Sequence, residues 1–498
     1  MPALERSPMY ATTLRLVADL RAGRTSARAL VEQAIARIDS VDPAIHAVVV
    51  RDFERARLAA AQADEALARG ERRPLLGIPM TVKECIDVAG LPTTWGIPGT
   101  ERIPVMRDAV VVERLKAAGA VIVGKTNVPL NLADWQSYNA IYGTTNNPWN
   151  PLLTPGGSSG GSAAALAAGY VPLELGTDIG GSLRVPAHFC GVYSHKPTWG
   201  IVPMRGVAPP GTPALPTARG VDFAVTGPMA RSAADLELAL DVLAGPDEVA
   251  ATAYRLTLPP ARHERLADFR VLVLDRHPLV PTSHEVGAAL RRHADRLASA
   301  GCTVATSSPL LPDLPGIVQT YGTLLMSFFG GVQPDAEHAH VRAAAERLAP
   351  DDRSPAAMQL RALVLSHRDW LRHDRTRAQI ANRWRELFRN FDVVVCPVWP
   401  TPAFAHDQSA DIGARRARID GVDVGYVEQS FWVGLATLAG LPATTIPIGL
   451  GESGLPIGVQ VIGPCLEDRT PLAYARLVEE ACGGFVAPPG LPPGDPPP

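Results

Sequence analysis

Residues 75–206 alternate between short apolar runs, alanine-rich runs and glycine-rich turns. The β-branched runs at 110–112 and 121–123 are typical of strands, whereas 114–118 and 162–168 are typical of helices. A chain that alternates strands and helices in this way forms a sheet with helical crossover connections. The sequence therefore predicts an α/β fold.

The C-terminal part of the chain is expected to complete the same sheet. Strand-like runs return there at 392–396, 443–448 and 457–462. Residues 26–69 have apolar positions at helical spacing, so we predict that they form helices.

Residues 250–390 are predicted to be mostly helical, with one strand at 271–274, and they contain no recognisable motif. We expect this region to set substrate specificity within a single domain that spans residues 1–487. Residues 488–498 are rich in proline, and we expect them to form a disordered tail.

Charge and composition exclude several functional classes. The 498 residues carry 47 basic and 50 acidic side chains, which gives no electrostatic case for a nucleic-acid or membrane partner. No run reaches the roughly 18 apolar residues of a membrane span, and the N-terminus lacks a secretory pattern. The six cysteines include no Cys-x-x-Cys pair of the kind that a zinc site would use. We therefore expect a cytoplasmic protein without a nucleic-acid or membrane partner.

Lysine is rare in this chain. Of the 47 basic residues 43 are arginine, and the lysines are Lys83, Lys116, Lys125 and Lys196. Arginine keeps its proton at any cellular pH, whereas a buried lysine can lose one and act as a base. Lys83 follows the apolar run 75–82, where loss of hydration disfavours the ammonium form. Lys83 is therefore a candidate general base.

The densest cluster of glycine and serine is 155–162, which precedes an alanine-rich helix. A phosphate-binding loop needs a lysine at the helix start, and residues 161–163 are Gly-Ser-Ala. The nucleophile elbow Gly-x-Ser-x-Gly matches at both Ser158 and Ser159, but a strand must lead into it. Three prolines in 147–155 argue against such a strand. An α/β-hydrolase that uses Ser158 or Ser159 stays open as an alternative.

A second glycine-rich segment, 176–187, offers a different nucleophile. Gly180 and Gly181 precede Ser182, so backbone N–H groups can converge on a developing oxyanion beside the serine hydroxyl. Asp178 and Arg184 flank this turn, and we expect them to pair.

Ser182 would need a base, and the sequence leaves two sources open. The nearby histidines are His188 and His195. No serine lies three residues before any lysine, so the Ser-x-x-Lys arrangement is absent and Lys83 would act from a distance along the chain.

Six blocks of sequence occur in one order: 76–83, 124–127, 156–162, 176–186, 196–198 and 454–463. Ser158 and Ser182 are separated by 24 positions. In these blocks and in this spacing, the chain resembles the amidase signature family of serine hydrolases over nearly its whole length. The resemblance implies a single large domain in which helices cover both faces of a central, mixed, twisted sheet.

The resemblance also implies a catalytic triad without a metal or cofactor. Ser182 matches the nucleophile, Ser158 the bridging serine that follows a cis peptide bond, and Lys83 the base. The matching oxyanion-hole amides are those of Ile179, Gly180, Gly181 and Ser182, and the supporting pair is Asp178 and Arg184. Trp135 and Tyr138 precede the first glycine-rich loop, and we expect them either to line the pocket or to pack in the core.

The function that the resemblance implies is hydrolysis of a carboxamide through an acyl-enzyme on Ser182. Aryl amides, short aliphatic amides, carbamates and esters all stay open as the small-molecule substrate, because residues 250–390 contain no motif that identifies it. An amidase subunit of a tRNA-dependent amidotransferase, which would share the triad, is the main alternative. Whether the protein forms a homodimer is also left open.

Overall fold

The computed structural model describes residues 8–213, 215 and 221–491. The α-helices of this part of the chain are α1 (Thr13–Arg21), α2 (Ala27–Ile45), α3 (Phe53–Ala68), α4 (Val110–Ala117), α5 (Gly160–Ala167), α6 (Arg184–Cys190), α7 (Ala233–Leu243), α8 (His284–Ser299), α9 (Leu314–Gly331), α10 (Asp335–Glu346), α11 (Pro355–Leu363), α12 (His367–Leu387), α13 (Phe431–Leu438) and α14 (Arg469–Cys482). The strands are β1 (Val48–Arg51), β2 (Pro79–Lys83), β3 (Val121–Thr126), β4 (Tyr138–Asn139), β5 (Gly143–Thr144), β6 (Leu173–Asp178), β7 (Tyr193–Lys196), β8 (Val225–Ala230), β9 (Arg270–Val273), β10 (Thr303–Ala305), β11 (Val393–Pro397), β12 (Arg416–Ile419), β13 (Val422–Gly425), β14 (Ala443–Leu450) and β15 (Pro456–Ile462).

Eleven of these strands form one sheet, in the order β1-β3-β2-β6-β8-β7-β14-β15-β11-β9-β10. The sheet is mixed: β2 runs parallel to β3 and β6, β9 runs parallel to β10 and β11, and the strands between them pair antiparallel. The predicted strands near 392–396, 443–448 and 457–462 are β11, β14 and β15, so the C-terminal part completes the sheet as expected.

Helices pack on both faces of the sheet. Side chains of a strand alternate between its faces; in β3, Val121 and Val123 join the core beneath α2, α3 and α5. Ile122, between them, joins the opposite core with α4, α7 and α14. The predicted fold class, a single large α/β domain with a mixed sheet between helical layers, is confirmed.

Two local predictions are wrong. Residues 110–112 form the first turn of α4 and not a strand. A valine costs less than about 0.7 kcal/mol in a helix, and all three valines are buried in the core, which outweighs that cost. In the segment 26–69, which we predicted to be helical, strand β1 separates α2 from α3.

Residues 250–390 contain helices α8 to α12 and strands β9 and β10. Their role in specificity stays a prediction. Of the predicted tail 488–498, residues 492–498 lie outside the described part of the chain. Among the residues that are described, no helix is both long enough and apolar enough to cross a membrane.

Candidate active site

The candidate catalytic residues meet at one edge of the sheet. Lys83 is the last residue of β2, and Asp178 is the last residue of β6, its parallel neighbour. Parallel strands end at the same edge, so both side chains lie there. Ser158 and Ser182 precede helices α5 and α6, which begin at this edge.

Lys83 is fully buried, and its Nζ lies 2.7 Å from Ser158 Oγ and 2.7 Å from Thr177 Oγ1. Burial lowers the pKa of Lys83 to about 8, although the nearby acidic groups Cys85, Asp178 and Glu174 favour the charged form. A neutral amine has two hydrogens and one lone pair. It can donate a hydrogen bond to Thr177 while its lone pair accepts one from the Ser158 hydroxyl.

The two glycine-rich loops contact each other beside Lys83. The peptide bond Gly157–Ser158 is cis, which confirms that expectation. The Ser159 amide donates to the carbonyl oxygen of Ser182 (3.2 Å), and the Ser159 hydroxyl donates to that of Thr177 (3.2 Å). Ser158 is 1% exposed and Ser182 is 6% exposed, so the site is almost closed to solvent.

No strand leads into Ser158 within the described residues, because β5 ends at Thr144 and only turns, irregular segments and isolated β-bridges lie between it and α5. A nucleophile elbow requires a strand at that place. The geometry therefore disfavours the α/β-hydrolase alternative at Ser158 and Ser159.

The loop 179–182 presents backbone N–H groups beside Ser182. In the part of the chain that the structure describes, the amides of Ile179, Gly180 and Ser182 have no hydrogen-bond acceptor. The Gly181 amide differs from the prediction, because it donates to Asp178 Oδ1 (2.9 Å) and is not free for a substrate oxygen. Gly181 has a φ of +96°, which a residue with a side chain rarely adopts.

Asp178 and Arg184 form the predicted pair. Arg184 donates from Nε and from a terminal nitrogen to the two carboxylate oxygens, and both donor–acceptor distances are 3.0 Å. Both side chains are fully buried. Burial would raise the pKa of Asp178, but the charges of Arg184 and Lys196 with the hydrogen bonds lower it overall. Arg184 also donates to the Val433 carbonyl and to Gln460 Oε1, so the ion pair connects the loop to α13 and β15.

A family model described as Amidase matches residues 29–472. The chain belongs to the amidase signature family. A glutamyl-tRNA(Gln) amidotransferase subunit from Roseiflexus castenholzii is 34% identical over 95% of this chain and 97% of its own. Indoleacetamide hydrolase from Bradyrhizobium diazoefficiens is 33% identical over 94% of this chain and 85% of its own.

A solved structure from a study of the evolutionary origins of an s-triazine catabolic enzyme superposes with a TM-score of 0.79. It is 31% identical and covers 96% of this chain and 100% of that one. The family match and these relatives show that the protein is an amide-hydrolysing enzyme. The two relatives are named for different reactions, so the comparison establishes the class of reaction and not the substrate.

The two aromatic residues predicted near the site occupy different positions. The indole N–H of Trp135 donates to the Gly180 carbonyl (2.7 Å), which places Trp135 against the loop 179–182. The hydroxyl of Tyr138 accepts from Arg415 (2.8 Å). Arg415 also pairs with Asp134 (2.6 Å), the residue before Trp135. Tyr138 therefore belongs to a polar cluster with Asp134 and Arg415.

Sequence reasoning missed Tyr321 of α9, whose hydroxyl donates to the Ile179 carbonyl (2.9 Å). It also missed Arg415 and Asp134. Tyr321 and Arg415 lie far from the motifs in sequence, whereas Asp134 directly precedes Trp135. Thr177 was missed as well, although it lies inside the glycine-rich segment 176–187 and next to Asp178.

The other buried lysines of this amidase contact the backbone. Lys125 donates to the Pro92 carbonyl (2.5 Å) and to Thr93 Oγ1 (2.9 Å), so it fastens a loop to β3. Lys196 donates to the carbonyl of Pro197 (3.0 Å), and burial lowers its pKa to about 8.

The nearby histidines are held away from the triad. His188 accepts from the Gly458 amide (2.7 Å) at Nδ1, so its Nε2–H donates to the Thr401 carbonyl (2.9 Å). His195 contacts Thr444 Oγ1 (2.9 Å) and Asp468 Oδ1 (3.2 Å). Both rings are buried and fully engaged, which leaves Lys83 as the candidate base. The described residues contain no group of three or more histidine, cysteine, aspartate or glutamate side chains that could hold a metal ion.

Proposed function

We propose that this amidase hydrolyses a small, neutral carboxamide through an acyl-enzyme on Ser182, with Lys83 as base and Ser158 as the proton bridge. The observation that carries the proposal is the 2.7 Å contact between Lys83 Nζ and Ser158 Oγ, made by a fully buried lysine. Burial makes the neutral amine accessible near physiological pH, as a general base requires.

In the acylation step, the lone pair of Lys83 accepts the proton of the Ser158 hydroxyl, and Ser158 accepts the proton of the Ser182 hydroxyl. The Ser182 oxygen attacks the amide carbonyl carbon, and the carbonyl electron pair moves to oxygen. The free amides of Ile179, Gly180 and Ser182 can donate to this oxyanion, while Gly181 and Asp178 hold the loop.

When the tetrahedral intermediate collapses, the C–N bond breaks and the leaving nitrogen takes the proton back from Lys83 through Ser158. Water then attacks the ester carbonyl of acylated Ser182, and the same relay accepts its proton. The relay then passes this proton to the Ser182 oxygen as the ester C–O bond breaks and the carboxylic acid leaves. No electrons enter or leave the site, so the cycle needs no redox partner.

Aromatic side chains and balanced charges favour a neutral substrate with an aryl group. A side chain at Gly180 would lie 3.4 Å from the Tyr321 hydroxyl and 4.0 Å from the Trp135 ring. The guanidinium of Arg415 lies 5.4 Å from the centre of the Tyr426 ring. It donates to Asp134, to Tyr138 and to a backbone carbonyl. Its charge is thus balanced within the protein and is not available for a substrate carboxylate.

A second candidate function is supply of ammonia from glutamine as the amidase subunit of a tRNA-dependent amidotransferase. It is favoured by the 34% identity to the glutamyl-tRNA(Gln) amidotransferase relative over 95% of this chain. This function would require partner subunits, and glutamine hydrolysis would depend on them.

A substrate panel with the purified chain separates the two candidates. We expect the isolated protein to hydrolyse an aryl amide such as an anilide, and to act weakly on glutamine. Ser182→Ala is the control for contaminating hydrolases. Glutamine hydrolysis that starts only when a tRNA-binding partner protein is added would instead support the second candidate.

The pH dependence of kcat/KM tests the base. Lys83 accepts a proton only when neutral, and burial lowers its pKa to about 8 from an ordinary value near 10.5. Below that pH we expect kcat/KM to rise about tenfold per pH unit, and above it to level off. The measurement is anilide hydrolysis from about pH 6 to about pH 10. A midpoint near that of histidine, about 6.5, would contradict the role of Lys83.

A further inference from the structure

Two side chains outside the triad donate hydrogen bonds to successive carbonyl groups of the loop 179–182. Tyr321, from α9, donates to the Ile179 carbonyl (2.9 Å). Trp135 donates to the Gly180 carbonyl (2.7 Å). Both donors are rigid aromatic side chains, and both target peptide groups next to Ser182.

A trans peptide group is planar, and its C=O and N–H bonds point in opposite directions. Both peptide bonds in question are trans. A donor that fixes the Ile179 carbonyl therefore also fixes the direction of the Gly180 N–H, which points away from Tyr321. In the same way, Trp135 on the Gly180 carbonyl fixes the Gly181 N–H, which in fact points at Asp178 Oδ1.

Glycine has the widest choice of backbone conformations, so Gly180 and Gly181 could rotate their peptide groups at little cost without such contacts. An oxyanion hole depends on donors that are already oriented before charge develops. We propose that Tyr321 and Trp135 are positioning residues for the oxyanion hole of this amidase. Tyr321 orients the free Gly180 amide by binding the Ile179 carbonyl, and Trp135 holds the next peptide group, whose N–H binds Asp178, by binding the Gly180 carbonyl. The proposal rests on the proposed function of Ser182 as nucleophile.

The Tyr321 ring is itself held on several sides. It packs edge-on against Phe223, with ring centroids 5.6 Å apart. A side chain on Gly434 of α13 would lie 2.9 Å from the Tyr321 ring, so α13 lies directly against it. Burial raises the pKa of the Tyr321 hydroxyl, which keeps it protonated as a donor.

The support extends into the helical region. Asp222, next to Phe223, pairs with Arg377 of α12 (2.8 Å), and the Arg377 guanidinium lies 5.3 Å from the centre of the Phe223 ring. Helices α9 and α12 of the region 250–390 thus hold a donor of the catalytic centre. This role goes beyond shaping a substrate pocket.

The Trp135 ring is fixed by two aromatic neighbours. Its centroid lies 5.3 Å from that of Trp399 and 5.5 Å from that of Tyr426. The Tyr426 hydroxyl donates to Asp134, which precedes Trp135 in the chain (2.7 Å). The Trp135 ring is therefore also held by its neighbours.

The test is Tyr321→Phe, which removes one hydroxyl and keeps the ring contacts. We expect kcat for an anilide to fall about 10- to 100-fold, less than on loss of a direct oxyanion donor, while KM stays within about twofold. The affinity for an aryl trifluoromethyl ketone, which forms an oxyanion on Ser182, should fall by the same factor as kcat/KM. Trp135→Phe should also lower kcat and the inhibitor affinity, and these two readouts carry the test if Tyr321→Phe fails to fold. Its KM is not part of the test, because Trp135 also borders the proposed substrate site.

Tyr474→Phe is the matched control, because it removes the hydroxyl of a buried tyrosine that contacts His293 (3.4 Å) and no residue of the site. It should leave kcat and inhibitor affinity unchanged. Unchanged kcat in both Tyr321→Phe and Trp135→Phe, or a rise in KM alone, would overturn the proposal. If Ser182→Ala kept full activity, the proposed function itself would fail, whereas an inactive Ser182→Ala beside a fully active Tyr321→Phe removes only this inference.

Discussion

Ser182→Ala is expected to lower kcat/KM for amide hydrolysis by roughly 10⁴-fold or more, because loss of a nucleophile removes the covalent route altogether. The alanine variant should fold, since Ser182 loses only a hydroxyl and its carbonyl still accepts from the Ser159 amide. Steady-state hydrolysis of an anilide, with thermal unfolding as a check on folding, measures the effect.

Ser159→Ala is the matched control for this experiment. The Ser159 hydroxyl donates to the Thr177 carbonyl (3.2 Å) and accepts from the Thr177 amide (3.4 Å), so its removal costs two neutral hydrogen bonds and about tenfold in rate at most. If Ser159 were the nucleophile of an elbow, the order of effects would reverse, and if Ser158 were the nucleophile, both variants would stay active. A Ser182→Ala variant with substantial activity would exclude the acyl-enzyme on Ser182.

Lys83→Arg is expected to lower kcat/KM by roughly 10³-fold, even though it keeps a positive charge, because arginine does not release its proton in proteins. Lys83→Ala should lose as much. In the arginine variant we also expect the rise of kcat/KM towards pH 8 to disappear, because the titrating amine is gone. The pH profile of the residual activity measures this.

Lys116→Arg is the control for replacing a lysine by an arginine away from the site. Lys116 is half-exposed and pairs with Asp108 at the surface (2.8 Å). Its activity and pH profile should match those of the unchanged protein. An active Lys83→Arg variant with an unchanged profile would show that another group accepts the proton.

Local sequence signals predicted the parts of this site that depend on local chemistry. The apolar run before Lys83 predicted a desolvated amine, and the structure gives that lysine full burial and a lowered pKa. The prolines of 147–155 predicted that no strand leads into Ser158. Asp178 and Arg184, which flank Ser182, form the ion pair that their positions suggested.

Features that depend on contacts distant in sequence could not be predicted. The Tyr321 hydroxyl meets a carbonyl 142 residues earlier in the chain, and no periodicity records such a contact. The direction of the Gly181 amide depends on the exact path of the loop around Asp178, which its sequence does not specify. The helical conformation of the valines at 110–112 also depends on distant contacts, because their burial in the core overrides a weak local preference for strand.

The identity of the acylated serine tests the central claim most directly. The protein is treated with an aryl fluorophosphonate, or quenched during turnover of a slow anilide, and the modified residue is located by peptide mass spectrometry. No lysine or arginine lies from residue 126 to residue 183, so trypsin leaves Ser158, Ser159 and Ser182 in one peptide, and cleavage at Glu174 separates the first two from Ser182. We predict a single adduct on Ser182 that forms much more slowly in Lys83→Arg; an adduct on Ser158 or Ser159 would contradict the account.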